Sequence, residues 1–471
     1  MPDAPVLVPG GGHWGMATHD ASIDETRSDA GRVWPSSRVA WYTVGVLAVT
    51  TMFAELDRNV ITLLVQSIKR DFVLTDSEIS YLLGFTFVLI YSIIGLPLSL
   101  LIDRFNRKVL LSVGLTVWSC ATAFCGVAQG FWQLAIGRMV MGAGESVNAP
   151  TAFSILADLF PKERLPRGIA VMQLGLTCSA GLSLLIGAYV IHALSGVEPI
   201  HVPVIGVIRN WQLVFIAVGL PGLLVAIFFQ ATVPEPLRHG TLHKNLSKVP
   251  LVEAVKFLVG RREIFLWMFL GLAVGSINGQ TNSWNAPFFE RTYGWGPVTY
   301  GHYMGMISLI TGPIGLFSGV FLVEYFSNKK QPDAPMKVIV ISRSLGLPFS
   351  ILGPLMPDPW LALIAAVLGS FMVAVGGACQ NAALQIVTPN QMRGQVTALF
   401  LFMFFVVGAL GPSVVAWITD YGFHNDAMLR YSLAITHGVL GPVSLIFVFL
   451  TYRPWTREVI RLRDLELGKA S

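Results

Sequence analysis

Four charged residues lie inside long apolar stretches of this chain. Asp57 and Arg58 are adjacent within the first stretch. Arg138 and Glu145 lie seven residues apart within the fourth. A charged side chain at the centre of a lipid bilayer costs about 3 kcal/mol on insertion scales, so it is seldom retained there without a function. Acids and cations in two such stretches predict proton coupling or ion pairing inside a membrane.

The chemistry expected of the two acids, Asp57 and Glu145, is reversible protonation. Burial favours the neutral form of a carboxyl group and a nearby arginine favours the ionised form, so movement of either partner can load or release a proton. The spacing of Arg138 and Glu145 places them on one helix face, about 10 Å apart along the axis. The alternative is a static ion pair that holds two helices together.

Glu55 leaves one assignment open. It lies three residues before Arg58, so it competes with Asp57 for that cation on the helix surface. Which of the two acids titrates is undecided at this point, and Glu55 fits a solvated position near the membrane surface equally well.

The composition of the chain is strongly apolar. Hydrophobic residues make up 54% and charged residues 13% of its 471 residues, whereas soluble domains contain about 25% charged residues. Mean hydropathy is +0.64, which excludes a soluble globular protein. The net charge of +5 comes from basic residues in short segments between apolar stretches, a pattern that sets membrane topology and does not indicate a nucleic-acid partner.

The apolar stretches form two sets of six, separated by a longer basic segment. Since about 20 apolar residues are enough to span a bilayer, we predict an all-α membrane protein with about 12 transmembrane helices in two six-helix lobes. Residues 250–260 are expected to form an amphipathic surface helix. The predicted division is a disordered cytoplasmic N-terminal tail (1–38), an N-terminal lobe (39–232), a cytoplasmic linker (233–262), a C-terminal lobe (263–453) and a cytoplasmic C-terminal tail (454–471).

Basic residues alternate between the loops, and a short motif recurs once. The alternation predicts a multi-pass protein of the cell (cytoplasmic or inner) membrane with both termini in the cytoplasm. Residues 161–170 and 389–398 each contain a proline followed by Arg-Gly at matching turns of the two halves. Parallel repeats of this kind build transporters whose substrate site lies between the halves.

The loop after the second stretch contains Asp103, Arg104, Arg107 and Lys108. It resembles the signature loop of the major facilitator superfamily, in which glycine, three residues, Asp-Arg, one residue, glycine and two basic residues follow one another. Ser99 and Asn106 occupy the glycine positions here. The resemblance implies the two-lobe major facilitator fold and a loop that holds one gate closed. The alternative is a solvated basic turn that only sets topology.

The first half also resembles the Spinster family of lysolipid and sphingosine-phosphate transporters. The resemblance implies that Asp57 and Glu145 carry protons, while Arg58 and Arg138 bind an anion or pair with the acids. It depends on Asp57-Arg58, on Arg138 with Gly142, Gly144 and Glu145, on Asp158-Leu-Phe-Pro161, and on Gly175, Gly181 and Gly187. The second half matches only the superfamily.

A rival within carriers is a proton symporter of small organic anions such as sugar acids. That family also uses Asp-Arg in the first span and Arg with Glu in the fourth. The Asp158-Leu-Phe-Pro161 segment and the scarcity of cations in the second half favour Spinster. A strongly cationic cavity in the second half would reverse this preference.

The second half offers amide side chains in its seventh and tenth stretches. They are spaced to share helix faces and suit a cavity wall that contacts a polar head group; the alternative is hydrogen bonding between helices, worth about 0.6 kcal/mol each. Arg343 is a further candidate for a buried charge, although extension of its side chain to the cytoplasmic face is the favoured expectation. The candidate wall residues are Asn278, Asn282, Asn285, Asn381 and Gln385.

Several chemistries lack their motifs. No Gly-Lys-Ser/Thr phosphate loop is present, so the chain does not itself hydrolyse ATP. His302 and His437 lack metal-ligand spacing, and no nucleophile is clustered with a base, so we expect no enzyme activity, cofactor or metal. The prediction is a monomeric, proton-coupled carrier of an amphiphilic lipid-like or anionic substrate, working by alternating access in contact with membrane lipid. A non-transporting membrane sensor is the second alternative.

Overall fold

The structure is a computed structural model that describes residues 34–102, 104–161, 163–203, 206–238 and 251–466. Asp103 of the gating loop lies outside the described residues. So do most of the predicted N-terminal tail (1–38), part of the predicted linker (239–250) and the last five residues.

Some helices in the N-terminal half begin at side chains that cap free backbone N–H groups. Ser36 accepts a hydrogen bond from the N–H of Val39 at 3.5 Å, and Thr75 forms a capping box with Glu78, as is typical of helix N-termini. The helices of this half are α1 (Ser37–Phe72), α2 (Asp76–Leu83), α3 (Phe85–Ile102), α4 (Arg107–Cys125), α5 (Phe131–Glu145), α6 (Asn148–Leu159), α7 (Leu165–Leu194) and α8 (Asn210–Thr232).

The C-terminal half repeats this helical pattern. A 3₁₀ turn (Thr281–Trp284) joins the two parts of its first span, and a π-helical segment (Ile418–Phe423) follows α16. The last helix continues to Glu466, so the first part of the predicted C-terminal tail (454–471) is helical. The helices are α9 (Leu251–Gly260), α10 (Arg262–Gln280), α11 (Asn285–Tyr293), α12 (Pro297–Asn328), α13 (Ala334–Leu352), α14 (Pro359–Ile386), α15 (Arg393–Gly408), α16 (Gly411–Trp417) and α17 (Leu429–Glu466).

One short hairpin, which the sequence pattern did not predict, lies between α7 and α8. Strands β1 (Ile200–Val202) and β2 (Gly206–Ile208) pair antiparallel, with Ile200 opposite Ile208. Gly206 has a φ of 104°, a conformation that glycine adopts without a steric penalty.

Eleven helical segments within the described residues are long and apolar enough to cross a membrane. The fourth predicted stretch is not among them because Ser146 and Val147 divide it between α5 and α6. Its two parts follow one another directly, so the division changes the helix and not the order of the spans. The predicted all-α membrane class is confirmed.

Each half has its own apolar core, and a third core joins them. Trp118 and Phe229 are fully buried in the N-terminal half, and Phe265 and Trp455 are buried in the C-terminal half. The third cluster contains residues of both halves, among them Leu64 and Phe289. The two halves are therefore separate packing units that meet along a shared apolar surface.

Helices α7 and α12 approach each other closely across the two halves. A Cβ atom on Gly181 would lie 2.6 Å from the backbone nitrogen of Leu309 and 2.8 Å from the carbonyl oxygen of Gly305. A Cβ atom on Gly305 would in turn lie 2.9 Å from the carbonyl oxygen of Gly181. Small residues at a crossing let membrane helices pack backbone to backbone, so these glycines set the distance between the halves.

A buried ion network joins the halves at the distal end, which we define by the α1–α2 and α11–α12 connections (73–75 and 294–296). Asp76 is fully buried and accepts from Arg291 at 2.6 and 2.7 Å and from Lys69 at 2.6 Å. The backbone N–H and hydroxyl of Ser77 donate to Asp420 at 2.7 and 2.6 Å. Charged groups of both halves thus satisfy one another where the distal end is closed.

The glycine contact predicts a large effect of Gly181→Val. We expect this variant to lose about 1–3 kcal/mol of stability, because its Cβ atom would collide with the backbone of α12 and overpacking costs that much. Thermal unfolding of the purified protein in detergent measures the loss. Gly45→Val is the matched control, since a Cβ atom there has nothing within 4 Å; equal unfolding midpoints for the two variants would show that α7 and α12 are not in tight contact.

The distal network predicts strong coupling between Asp76 and Arg291. Removing one partner of a buried pair leaves an uncompensated charge, so we expect Asp76→Asn and Arg291→Gln each to cost about 3–5 kcal/mol. The double variant should cost clearly less than their sum. A double-mutant cycle on unfolding free energies measures this coupling, and simple additivity would argue against the network. Glu198→Gln is the control, because Glu198 is an exposed acid outside this network.

Candidate functional site

Glycines of α5 let this helix pack closely against α3 and α4. A Cβ atom on Gly142 would lie 2.6 Å from the carbonyl oxygen of Phe87 in α3, and one on Gly144 would lie 2.8 Å from the backbone nitrogen of Trp118 in α4. Because α5 packs this closely on α3 and α4, its last residue, Glu145, is buried deep within the N-terminal half, with only 1% of the residue exposed.

Arg58 and Glu145 form an ion pair between α1 and α5. The side chain of Glu145 is 2% exposed, whereas that of Arg58 keeps 32% of its surface. The guanidinium of Arg58 also lies over the rings of Phe87 and Tyr91, at 5.1 and 5.7 Å from their centroids. The guanidinium of Arg58 therefore contacts Glu145 and two aromatic rings, while part of its side chain stays accessible.

Asp57 is a second buried acid, separate from that pair. Its residue is 0% exposed, and neither carboxylate oxygen has a hydrogen-bond partner among the residues the structure describes. Trp118, Thr122 and Arg138 lie near enough to interact with its charge. Asp57 and Arg58 are adjacent in sequence, but they face different surroundings and are not partners.

Arg138 lies near both acids but makes its close contacts with other groups. It is 1% exposed, donates to the carbonyl oxygen of Leu82 at 3.3 Å, and lies over the ring of Phe87 at 5.1 Å. Within the described residues it forms no ion pair within 4 Å, and the pairing with an acid or an anion that the resemblance implied for it stays a prediction. The ring of Phe87 consequently contacts both arginines.

Glu55 interacts with the Arg58–Glu145 pair and not with Asp57. One oxygen lies 3.3 Å from Arg58, and the other accepts from Asn59 at 3.3 Å. Asn59 in turn donates to Ser183 of α7 at 3.2 Å. Arg58 is therefore shared by Glu55 and Glu145, while the titrating acid stays a prediction.

In the predicted gating loop, Arg107 is the buried member. It pairs with Asp158 and lies 2.9 Å from Glu235, with a side chain that is 2% exposed. The backbone N–H of Lys108 also donates to Glu235 at 2.9 Å. Arg104 is exposed. The loop thus connects α4 to the end of α6 and to the segment after α8, all within one half, and its role in gating stays a prediction.

A cavity of about 200 Å³ lies inside the C-terminal half, between α10, α13, α14 and α17. Three of the predicted wall residues, Asn278, Asn282 and Asn285, line it. Asn381 and Gln385 are exposed and do not line this cavity, whereas the neighbouring Gln380 does. Two of the five predicted wall residues therefore lie elsewhere.

The expectation that Arg343 extends to the cytoplasmic face is wrong. Its guanidinium donates to Ser444 in α17 and to the carbonyl oxygen of Gly271 in α10, the latter at 3.2 Å. These partners lie in the interior of the half, and Arg343 lines the cavity. The hydrogen bonds stabilise the buried cation, so it does not need to reach water.

Several residues of these networks were not predicted. Glu235 follows α8 and has no sequence signal except its place between two prolines. Lys69 and Arg291 lie in the last turns of α1 and α11, where a basic residue has no distinguishing sequence signal. The carboxylates of Asp76, Asp420 and Asp426 come within 4.8 Å of one another. Basic and hydroxyl side chains already bind them, so no metal ion is needed to explain their grouping.

Comparisons with known proteins identify the family of the chain. The family model of the Major Facilitator Superfamily matches residues 47–455. Over 415 residues the chain is 27% identical to an MFS-type efflux pump of Mycolicibacterium smegmatis, covering 86% of this chain and 89% of that protein. Over 420 residues it is 24% identical to Protein spinster homolog 3 of Danio rerio, covering 82% and 78%. It is also 21% identical over 414 residues to a probable L-galactonate transporter of Escherichia coli, covering 85% and 86%.

A solved structure shares the fold. The crystal structure of a bacterial homolog to the human lysosomal transporter Spinster, in an inward-facing and unoccupied conformation, superposes with a TM-score of 0.75. It is 23% identical and covers 91% of this chain and 99% of that chain. The predicted major facilitator fold and the predicted resemblance to Spinster proteins are confirmed. The chain belongs to the Major Facilitator Superfamily of membrane transporters and is related within it to Spinster proteins.

Proposed function

We propose that the chain is a proton-coupled secondary transporter that moves an amphiphilic, anionic substrate by alternating access. The observation that supports it best is the Arg58–Glu145 ion pair, whose acid is buried while its cation stays partly open. An intramembrane pair of this kind marks ion and proton pathways in transporters.

The pair couples protons to an anion by competition. While Glu145 is ionised it occupies Arg58, and a substrate anion must replace it. Protonation of Glu145 removes its charge and frees the guanidinium for the substrate. Binding of the proton and of the anion therefore favour each other, as reciprocal linkage requires.

Asp57 is the proposed second proton carrier. A buried carboxylate without hydrogen-bond partners is costly in its ionised form, and the nearby Arg138 offsets part of that cost. In one conformation Arg138 stabilises the ionised form of Asp57. In another conformation the halves have moved, Arg138 no longer does so, and Asp57 takes up a proton.

The two lobes (39–232 and 263–453) are proposed to rock as units about the α7–α12 contact, connected by the linker (233–262). The closed distal end leaves the end bearing both termini as the substrate entry. We place that end in the cytoplasm, in a monomer within the cytoplasmic membrane, because basic loops favour this orientation.

The proposed substrate carries an apolar tail beside its charged head. Phe87 and Tyr91 lie directly against Arg58, so a head group bound there has aromatic surface next to it. Kinship with Spinster proteins supports lysolipids as the first class to examine.

A sugar acid is the second candidate substrate, and Arg343 favours it. The sequence had offered few cations in the second half, yet the cavity there contains this buried guanidinium. The 21% identical relative described as a probable L-galactonate transporter supports the same class.

Proton coupling predicts that Glu145→Gln loses gradient-driven uptake. We expect at least about a tenfold decrease in proteoliposomes under an imposed pH gradient, since glutamine cannot exchange a proton and a loss of about 1.4 kcal/mol corresponds to tenfold. Labelled lysophospholipid and labelled sugar acid are followed in parallel. Glu253→Gln is the control, because Glu253 is an exposed acid on α9.

The outcomes separate the candidates. Gradient-dependent flux of lysophospholipid supports the first substrate class, and flux of sugar acid alone supports the second. Uptake that Glu145→Gln leaves unchanged would mean a structural ion pair and no coupling through it. Binding of either compound without any flux would indicate a sensor.

The role of Asp57 predicts a change in stoichiometry. In Asp57→Asn we expect fewer protons to enter per substrate molecule, because one exchangeable acid is gone. Proton entry is measured with a pH-sensitive dye in the same liposomes as substrate uptake, and Asp57→Glu should preserve the ratio. An unchanged ratio in Asp57→Asn, with only lower thermal stability, would identify Asp57 as structural.

A further inference from the structure

The cavity in the C-terminal lobe contains cationic and neutral polar groups, and none of its lining residues is acidic. Its charged member is Arg343, with His437 as the other titratable group. His437 lies 3.2 Å from the hydroxyl of Thr281. The cavity therefore has a net positive character inside a lobe that spans the membrane.

The guanidinium of Arg343 is held in place through one nitrogen, and its other N–H donors are left for a ligand. Its Nη1 donates to Gly271 and Ser444, and Ser444 donates to the same carbonyl oxygen at 2.6 Å. A guanidinium has five N–H donors in a fixed fork, which suits bidentate binding of carboxylate or phosphate. Gly275 lies flat against it, where any Cβ atom would collide with the guanidinium. The cation is thus oriented by neutral groups, and no carboxylate neutralises it in the cavity.

The polar wall adds a preference for hydroxyl groups. The side-chain oxygen of Asn278 is buried and has no partner among the described residues, so it can accept a hydrogen bond from a ligand. Asn285 donates only weakly to Asn282, at 3.4 Å. Buried polar atoms normally find partners, and a hydroxylated ligand would supply them.

The cavity has room for a small ligand. Its volume of about 200 Å³ is many times the roughly 10–15 Å³ that one water molecule needs on the same measure, so a small hydroxylated acid or a head group fits in it.

We propose that this cavity is an anion-binding site in which Arg343 binds a phosphate or carboxylate and Asn278 accepts from an adjacent hydroxyl of the same ligand. The ligand class is a hydroxylated anion, either free or as the head group of a lysolipid. The site does not depend on proton coupling at Glu145.

The test measures binding to the purified full-length protein without any gradient. The probes are radiolabelled glycerol 3-phosphate and radiolabelled galactonate, assayed by scintillation proximity. We expect at least one to bind, and Arg343→Gln to weaken that binding at least about tenfold, since a hydrogen bond to a charged group is lost with its charge. Arg343→Lys should retain part of the affinity.

A second variant keeps the cation and fills the space. A Cβ atom on Gly279 has nothing within 4 Å and the residue lines the cavity, so Gly279→Phe should block binding. Gly377→Phe is the matched control, because Gly377 is equally unobstructed and does not line the cavity. This comparison decides the question if Arg343→Gln does not fold.

Competition identifies the source of the anion. Displacement of the probe by lysophosphatidylglycerol, but not by monooleoylglycerol, indicates a lipid head group, and no displacement by either indicates a soluble anion. The proposal is overturned if neither probe binds, if Arg343→Gln and Gly279→Phe bind as the wild type does, or if Gly377→Phe loses as much as Gly279→Phe. Loss in Arg58→Gln alone would place the anion in the other lobe and overturn it as well.

Discussion

The organisation of the N-terminal lobe depends on one interaction, the ion pair of Arg58 with Glu145. Neither partner is inexpensive to bury alone, and each lowers the cost for the other. The pair links α1 to α5 through their side chains, and the glycines of α5 pack that helix closely against α3 and α4. The other charged residues lie around this pair. Glu55 shares Arg58 with Glu145, and Asp57 lies near Arg138.

The identity of the charged residues could be predicted from sequence, but their pairing could not. Apolar context alone distinguishes Asp57, Arg58, Arg138 and Glu145, because charges in a bilayer are rare. Arg58 and Glu145 are 87 residues apart, and their contact depends on the rotation of two helices that close glycine contacts determine. Spacing along one helix placed Arg138 and Glu145 on one face about 10 Å apart, but it could not show that Glu145 pairs with Arg58 of another helix.

The helices and the two-lobe order followed from hydropathy, whereas networks between distant segments did not. Asp76 and Arg291 lie 215 residues apart, each next to a span end, where a solvated charge is the ordinary expectation. Arg343 was misplaced for a related reason: the reach of a long side chain suggests water, but hydrogen bonds that it donates to Ser444 and to the carbonyl oxygen of Gly271 satisfy it within the lobe. Sequence reasoning describes single helices better than the surfaces they share.

The ring of Phe87 contacts the guanidinium groups of Arg58 and Arg138, with 5.1 Å from its centroid to each. This arrangement has a consequence for ligand recognition. Both guanidinium groups lie against this ring, and they cover part of its apolar surface. If Arg58 turned toward an anion, one ring face would become bare, and a hydrocarbon chain is what best covers such a face. Recognition of charge and recognition of chain length would then be a single event, so that neither a head group nor a tail alone reproduces the response to the whole molecule.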